Sequence, residues 1–202
     1  MLLSTSILSL KDKNKYKEID NTTTDFIHID VMDNNFVSNY NNYDELNFNK
    51  KLDVHLMVED VLEYIKKYEK FNPYFITFHI EVKQDINKII NYLKEKNIKV
   101  GLSIKPNTDL NELIPYLELV DLVLVMSVEP GYGGQKFIEK STDRINELKN
   151  IREENNYHYL IEVDGGINNE TIDKVKNVDI VVVGSYITNS DNFQERIDDI
   201  KK

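Results

Sequence analysis

Eight short runs of strand-forming residues recur along the chain, and this repetition constrains the fold more than any other feature. Most of the runs are apolar on both faces, which is typical of parallel strands that are covered on both sides. The runs are Ser6–Leu10, Phe26–Met32, Leu52–Val58, Phe75–Ile80, Lys99–Ile104, Leu122–Ser127, Tyr159–Val163 and Ile180–Val183. Together they predict a parallel sheet of eight strands.

The segments between these runs mostly have the pattern of amphipathic helices. Asp60–Phe71 and Asp85–Lys96 each place four apolar side chains on one helical face. Further helices are predicted over Asp109–Leu117, Ser141–Glu153, Thr171–Val175 and Phe193–Ile200. The first two connections, Lys11–Asp20 and Asn34–Asn49, carry no clear helical pattern.

Strand and helix alternate throughout the chain, and this order predicts a single-domain (β/α)8 TIM barrel over residues 1–202. A doubly wound open sheet is the main alternative, and it usually has a glycine-rich turn after its first strand. The corresponding turn here is Leu10-Lys11-Asp12-Lys13, which favours the barrel.

Composition excludes several classes of function. The formal net charge of -10 argues against binding to nucleic acids or anionic membranes. The chain has no cysteine, so any metal ion must be held by histidines and carboxylates. The sequence has no signal-peptide pattern and no apolar run approaching ~20 residues. A cytoplasmic protein without nucleic-acid or membrane partners is therefore expected.

Ionisable residues occur at the carboxyl ends of the predicted strands, which is where barrel enzymes have their active sites. Side chains alternate along a strand, so His28 and Asp30 share an inward face, and His55 is placed in the same way on the next strand. Asp164 ends the seventh strand. These four residues predict a site for one divalent metal ion; Zn is favoured, and Fe(II), Mn(II) and Co(II) also fit.

Each of these residues has a simpler structural explanation when it is taken alone. A buried His–Asp pair often serves packing, and an aspartate before glycine is usually a turn or a cap. Packing alone does not require His and Asp at matching heights on three strands, so we favour the functional interpretation. His79 is predicted to have a packing role and His158 a structural one.

Three methionines lie beside the proposed ligands. Met32 and Met57 each follow a ligand by two residues, and Met126 lies near the end of the sixth strand. Methionine is commonly a core filler. Here the three side chains are equally candidates for a water-excluding lining of the site.

Glycine is concentrated in three segments that follow the last three strands. Six of the seven glycines lie there, namely Gly131, Gly133, Gly134, Gly165, Gly166 and Gly184. Glycine allows backbone N–H groups to approach an oxyanion closely, and barrels often bind phosphate beside the loops after strands seven and eight. A phosphate-binding site is therefore expected at this end of the barrel.

The chain resembles the ribulose-phosphate 3-epimerase family in segments that span essentially its whole length. They occur in the family's order and at about its spacing. The segments are Ser6-Ile7-Leu8-Ser9, His28-Ile29-Asp30-Val31-Met32-Asp33, Asp53-Val54-His55-Leu56-Met57-Val58, the run from Met126 to Phe137, Glu162-Val163-Asp164-Gly165-Gly166-Ile167 and Gly184-Ser185.

The resemblance implies reversible conversion of D-ribulose 5-phosphate to D-xylulose 5-phosphate, with one divalent metal ion and no organic cofactor. Asp30 and Asp164 are implied as the acid–base pair, and His28, Asp30, His55 and Asp164 as the metal ligands. The substrate is then a small-molecule sugar phosphate, and a homo-oligomer is left open. The implied substrate contacts are Ser6, His55, Gly131, Tyr132, Gly133, Gly134, Asp164, Gly165, Gly166, Gly184 and Ser185.

The chain departs from the family's pattern mainly outside the implied ligands. Thr5 stands where a proline is usual, Tyr186 where a small residue is common, and the segment after Asn39 diverges. These differences affect the loops over the site. The alternatives are a 3-epimerase of a ketohexose 6-phosphate, a non-catalytic sugar-phosphate-binding barrel, and a decarboxylase or aldolase. The last class usually needs a strand-end lysine, and Lys105 is the only candidate.

Overall fold

The computed structural model describes residues 1–202, and its framework consists of nine strands and six α-helices. The strands are β1 (Leu2–Ser6), β2 (Phe26–Asp33), β3 (Tyr40–Asn41), β4 (Lys51–Met57), β5 (Phe75–His79), β6 (Lys99–Ile104), β7 (Leu122–Met126), β8 (Leu160–Asp164) and β9 (Ile180–Val183). The helices are α1 (Tyr16–Asp20), α2 (Val61–Tyr68), α3 (Ile86–Glu95), α4 (Ser141–Asn155), α5 (Ser185–Thr188) and α6 (Phe193–Lys201). No helix has the length and apolar character needed to cross a bilayer.

Eight of the strands form a closed parallel barrel. β1 pairs in parallel with β9 on one side and with β2 on the other, which joins the two edges of the sheet. The short strand β3 is antiparallel and pairs only with the end of β2. The predicted single-domain (β/α)8 barrel is thus confirmed.

Strand alternation divides the core into an outer and an inner part. In β2, Ile27, Ile29 and Val31 are fully buried and belong to the large apolar cluster that includes the helices. The inner part begins with an apolar plug made of Phe26, Phe75, Leu122 and Ile180. Beyond this plug, towards the carboxyl ends of the strands, the barrel interior becomes polar.

The first strand differs from its prediction. Ser6–Leu10 was expected as the strand, but β1 is Leu2–Ser6, because Leu2 to Thr5 pair with β9. Ile7 and Leu10 are buried in a turn, in which the backbone N–H of Leu10 donates to the carbonyl of Ile7. Ser6 therefore stands at the carboxyl end of β1, level with the site.

Two predicted helices are absent as α-helices. The segment Asp109–Leu117 forms the 3-10 turns Leu110–Glu112 and Ile114–Tyr116, and Thr171–Val175 contains the 3-10 turn Ile172–Val175. Pro115 lacks the backbone N–H that a continuous helix would use. The connection Asn34–Asn49 also has no helix and contributes only β3.

Candidate active site and metal centre

The four predicted ligands converge at the carboxyl end of the barrel. β2 carries His28 and Asp30, β4 carries His55, and β8 ends in Asp164. One ligand atom from each lies within 4.8 Å of the others. The strand register pairs Asp30 of β2 with His55 of β4, so these two side chains lie at the same height in the barrel, as the sequence predicted.

The hydrogen bonds of His28 leave one ring nitrogen free to act as a ligand. Its Nδ1 lies 2.6 Å from Oδ2 of Asp53, and a carboxylate can only accept, so Nδ1 carries the proton. Nε2 is then directed at Oδ1 of Asp30, 3.4 Å away, and it has no hydrogen-bond partner although it is fully buried. A buried nitrogen of this kind suits a metal ion, because a metal ion replaces the missing donor.

His55 presents the opposite ring nitrogen to the same point. Its Nε2 lies 2.9 Å from Nε2 of His79, whereas its Nδ1 lies 3.4 Å from Oδ1 of Asp30 and has no partner. Two orphaned imidazole nitrogens therefore converge on one carboxylate oxygen. The residues fit a divalent cation of the kind held by mixed His and carboxylate ligands.

The two aspartates of the site differ in acidity. Burial raises the pKa of Asp30, but His28 and His55 outweigh it and hold that pKa well below its usual value. Burial and the charge of Asp30 raise the pKa of Asp164 to about 7. Without a metal ion, Asp53 and Asp30 hold the pKa of His28 well above its usual value, although burial alone would lower it. A metal ion at Nε2 would take the place of the second proton. Carboxyl groups with separated pKa values are suited to opposite roles in proton transfer.

A second polar layer lies beneath the ligands. Oδ2 of Asp53 accepts from Ser4 Oγ at 2.7 Å as well as from His28. Glu162 is fully buried with neither carboxylate oxygen hydrogen-bonded, and burial and the charge of Asp53 raise its pKa well above its usual value. Sequence analysis missed these residues, although Asp53 and Glu162 precede His55 and Asp164 by two positions and so share their inward faces.

Ser6 contacts the catalytic candidate directly. Its Oγ donates to Oδ2 of Asp30 at 2.8 Å, which is the oxygen that does not face the two histidines. Ser6 therefore lies in the site, as predicted, and its hydroxyl orients Asp30. Any contact of Ser6 with substrate stays a prediction.

A cavity of about 590 Å³ opens above the ligands, and it is lined by most of the predicted site residues. Met32, Met57 and Met126 are almost fully buried and form part of its wall. The predicted lining by methionine therefore exists in the structure. Its other walls include Ser6, Asp30, Gly131, Tyr132, Gly133, Gly134, Asp164, Gly165, Gly166, Gly184 and Ser185.

Two of the glycines occupy positions that no other residue fits. Gly165 has φ +125°, and a Cβ there would lie 2.5 Å from Val128. Gly166 has φ +66°, and a Cβ would lie 2.4 Å from the backbone nitrogen of Phe137. The chain therefore packs closely at this side of the cavity, with the Val128 side chain against Gly165 and the backbone of Phe137 against Gly166. Glycine also allows backbone N–H groups to approach an oxyanion closely.

The loop after β7 is fastened to the connection after β2. The hydroxyl of Tyr132 donates to the carbonyl of Ser38 at 2.5 Å, and Asn39 Nδ2 donates to the carbonyl of Gly131 at 2.7 Å. Val37 packs against Gly131. The two loops thus form one wall of the mouth, although more than half of the Tyr132 side chain is exposed.

The remaining two histidines have different positions. His158 is exposed and lies before β8, away from the site. His79 was predicted to have a packing role; it is fully buried, and it is also hydrogen-bonded to His55. No pattern along the chain indicates this contact, because it depends on the pairing of β4 with β5.

Fold and site together define a (β/α)8-barrel protein with a candidate metal centre and a glycine-lined cavity. The model of the ribulose-phosphate 3-epimerase family matches residues 2–188, and the chain belongs to this family. It is 34% identical over 200 residues to a ribulose-phosphate 3-epimerase of Helicobacter pylori strain J99, covering 94% of this chain and 92% of that protein. The enzyme of the same name from Aquifex aeolicus is 38% identical over 185 residues, covering 88% and 83%.

Solved structures show the same fold at low sequence identity. The 3-hexulose-6-phosphate synthase of Salmonella typhimurium has a TM-score of 0.70 at 18% identity and covers 99% of this chain and 96% of its own. The phosphoribosyl anthranilate isomerase of Thermococcus kodakaraensis has a TM-score of 0.61 at 17% identity, with 99% and 96% covered. These similarities concern the fold alone.

Proposed function

We propose that this chain is a metal-dependent ribulose-phosphate 3-epimerase, an isomerase that interconverts D-ribulose 5-phosphate and D-xylulose 5-phosphate. The observation that carries the proposal is the convergence of Asp30 and Asp164 with two unpartnered histidine nitrogens under a glycine-lined cavity. Relatives of the same name, 34% and 38% identical over most of the chain, support it.

The two aspartates act as acid and base on opposite faces of the substrate. Asp30, held as a carboxylate, takes the proton from the third carbon, and Asp164 returns a proton to the other face. The roles exchange in the reverse direction, as a reversible reaction requires. Ser6 keeps the Asp30 carboxylate oriented through its hydrogen bond to Oδ2.

Removal of a proton beside a ketone leaves negative charge on the sugar oxygens. A divalent cation held by His28, Asp30, His55 and Asp164 supplies a Lewis acid that stabilises this charge. Zn suits the mixed histidine and aspartate set best, and Fe(II), Mn(II) and Co(II) suit it as well. No organic cofactor is needed for a proton transfer of this kind.

The rest of the cavity binds and shields the substrate. The backbone of Gly165, Gly166, Gly184 and Ser185 receives the phosphate group, and the loop from Gly131 to Gly134 covers it. Met32, Met57 and Met126 keep water away from the carbanion-like intermediate. His55 would hold the metal ion, and its predicted contact with the substrate would be made from behind the cavity wall, since it does not line the cavity.

A proton-exchange assay tests the proposal. Metal-loaded protein is incubated with D-ribulose 5-phosphate in heavy water and followed by NMR, with and without a chelator. We expect deuterium at the third carbon and formation of xylulose 5-phosphate, and we expect chelation to abolish both. Protein treated with chelator and then resupplied with Zn is the matched control, because it differs only in metal content.

Other results would lead to different functions. Exchange with a ketohexose 6-phosphate but not with the pentulose would assign the chain to the six-carbon substrate. Binding of sugar phosphate without any exchange would identify a non-catalytic barrel. Carbon–carbon bond cleavage would indicate a decarboxylase or an aldolase, although Lys105 has no contact with the ligand set that would support such chemistry.

The proposal includes the extent of the catalytic domain, the location of the enzyme in the cell and its partners. The whole barrel, residues 1–202, is proposed as the catalytic domain. Sugar phosphates are charged and do not cross membranes freely, so an enzyme that acts on them is expected in the cytoplasm. The formal net charge of -10 supports a small-molecule substrate over nucleic-acid or membrane partners.

A further inference from the structure

A relay of two side chains stands behind the metal ligand His55. Its Nε2 lies 2.9 Å from Nε2 of His79, and Nδ1 of His79 lies 3.1 Å from Oε2 of Glu81. The other carboxylate oxygen of Glu81 accepts from the backbone N–H of Lys105 at 2.8 Å. Both imidazoles are fully buried, so water does not replace these hydrogen bonds.

The carboxylate at the end of the relay fixes the direction of its hydrogen bonds. Glu81 can only accept, so Nδ1 of His79 carries a proton and its Nε2 is left with a lone pair. That lone pair can only accept, so Nε2 of His55 carries a proton as well. Nδ1 of His55 is therefore unprotonated, and this is the atom that faces Asp30 without a partner.

The competing arrangement is poorer in geometry. If His55 donated from Nδ1 to Asp30, that hydrogen bond would span 3.4 Å, compared with 2.9 Å and 3.1 Å along the relay. Nδ1 of His79 would then present a lone pair to the Glu81 carboxylate inside the protein. Buried polar groups that face each other without a proton are costly.

The ring of His79 is also held by packing. The ring of Phe36 packs against it with centroids 4.8 Å apart and a tilt of 43°. Nζ of Lys105 in turn lies 3.9 Å from the Phe36 centroid. Phe36 belongs to the connection after β2, whose next residues fasten the loop at Gly131 and Tyr132. The orientation of His79 is thus fixed from two sides, by hydrogen bonds and by packing against Phe36.

We propose that His79 and Glu81 are positioning residues that set the proton of His55 on Nε2, so that Nδ1 is presented to the metal ion. The proposal rests on the metal site of the proposed function and adds the residues that prepare one ligand before the ion arrives. Groups that orient ligands from behind typically change metal affinity roughly 10- to 100-fold when they are replaced.

The first measurement needs no variant. Long-range ¹⁵N NMR of the metal-free wild-type protein reports which ring nitrogen of His55 carries the proton. A proton on Nε2 supports the proposal. A proton on Nδ1 overturns it, whatever the activity of the enzyme.

The second measurement is Zn affinity, obtained by competition with a chromophoric chelator, together with the visible spectrum of the Co(II)-loaded protein. His79→Phe keeps a ring on Phe36 but removes both hydrogen bonds, and it is expected to weaken Zn binding roughly 10- to 100-fold. His79→Gln is expected to restore most of the affinity, because its amide can accept from His55. In Glu81→Gln the terminal amide can either donate to His79 or accept from it, so it no longer sets the direction of the hydrogen bonds. We expect an intermediate loss of Zn affinity.

Thr77→Val is the matched control. Thr77 lies on β5 as His79 does and pairs with His55 across the strands, is fully buried, and its hydroxyl makes no hydrogen bond. The substitution therefore disturbs the same strand without removing a hydrogen bond of the relay. We expect its Zn affinity and Co(II) spectrum to equal those of the wild type. Equal affinities in His79→Phe and Thr77→Val would overturn the positioning role, whereas wild-type protein that binds no metal would overturn the metal centre itself.

Discussion

Asp30 is the residue on which the polar contacts of the site converge. Its Oδ1 faces a nitrogen of His28 and a nitrogen of His55, and its Oδ2 accepts from Ser6. The residue is only 3% exposed, so these contacts replace water almost entirely. A charge buried to this extent is tolerated because its partners compensate for lost hydration.

Asp30→Asn therefore removes a negative charge, a proton acceptor and a metal ligand while keeping the shape of the side chain. We expect turnover of ribulose 5-phosphate to fall at least ~100-fold. Steady-state kinetics with a coupled assay would measure it, and Asp191→Asn, an exposed aspartate outside the cavity, is the control. Turnover within about twofold of wild type would show that Asp30 is neither the base nor an essential ligand.

Gly101 shows that a glycine on the inner face of the barrel need not belong to the site. A Cβ at this position would lie 2.1 Å from Oγ1 of Thr77 on the neighbouring strand. It lies in the middle of β6 and does not line the cavity. Its role is steric, whereas the other six glycines all border the cavity.

At the scale of elements, the helices form where an apolar stripe and a capping residue coincide. α3 buries Ile86, Ile89, Ile90 and Leu93, and the side chain of Asp85 accepts from the backbone N–H of Lys88 at its start. α2 begins in the same way with Asp60. Both helices were predicted within a few residues of their observed bounds.

Asp85→Ala should lower the free energy of unfolding by about 1 kcal/mol, because the first turn of α3 loses its side-chain cap. Asp85→Asn retains an acceptor oxygen and should cost little. Urea denaturation of the two variants and the wild type would measure the difference. If both substitutions had the same effect, the capping hydrogen bond would not be the source of the stability.

At the scale of the molecule, polarity changes along the barrel axis. An apolar plug that includes Phe26 and Phe75 closes one end, and above it lie buried polar groups that include Asp53 and Glu162. Several of these groups have no hydrogen-bond partner. The carboxyl end of the barrel is thus arranged for ligands, while the amino end and the outer shell provide the packing.

Metal removal should therefore affect the stability of the whole barrel. An ion that binds only the folded state at a concentration 100 times its Kd stabilises by about 2.7 kcal/mol. For a chain of this length that corresponds to roughly 5–10 °C in Tm. Scanning calorimetry with Zn and with a chelator would measure the shift, and Asp30→Asn should show a much smaller one. Coincident curves for wild-type protein would contradict a metal ion bound by these residues.

The sequence by itself determined which residues face the barrel interior and where the chain can bend tightly. Period-two alternation places His28 with Asp30, and Asp53 with His55, whatever the rest of the chain does. Glycine positions marked the loops of the cavity for a similar local reason. These features depend only on neighbours along the chain, and the structure agrees with them.

Tertiary structure decided which atoms meet. Asp53 is 25 residues from His28 along the chain, and His79 is 24 residues from His55, so their contacts depend on strand pairing and barrel closure. Strand pairing also moved the first strand to Leu2–Ser6 and so brought Ser6 to Asp30. Which ring nitrogen of each histidine is free follows from these long-range partners, because local sequence sets the face of a side chain but not its distance from another strand.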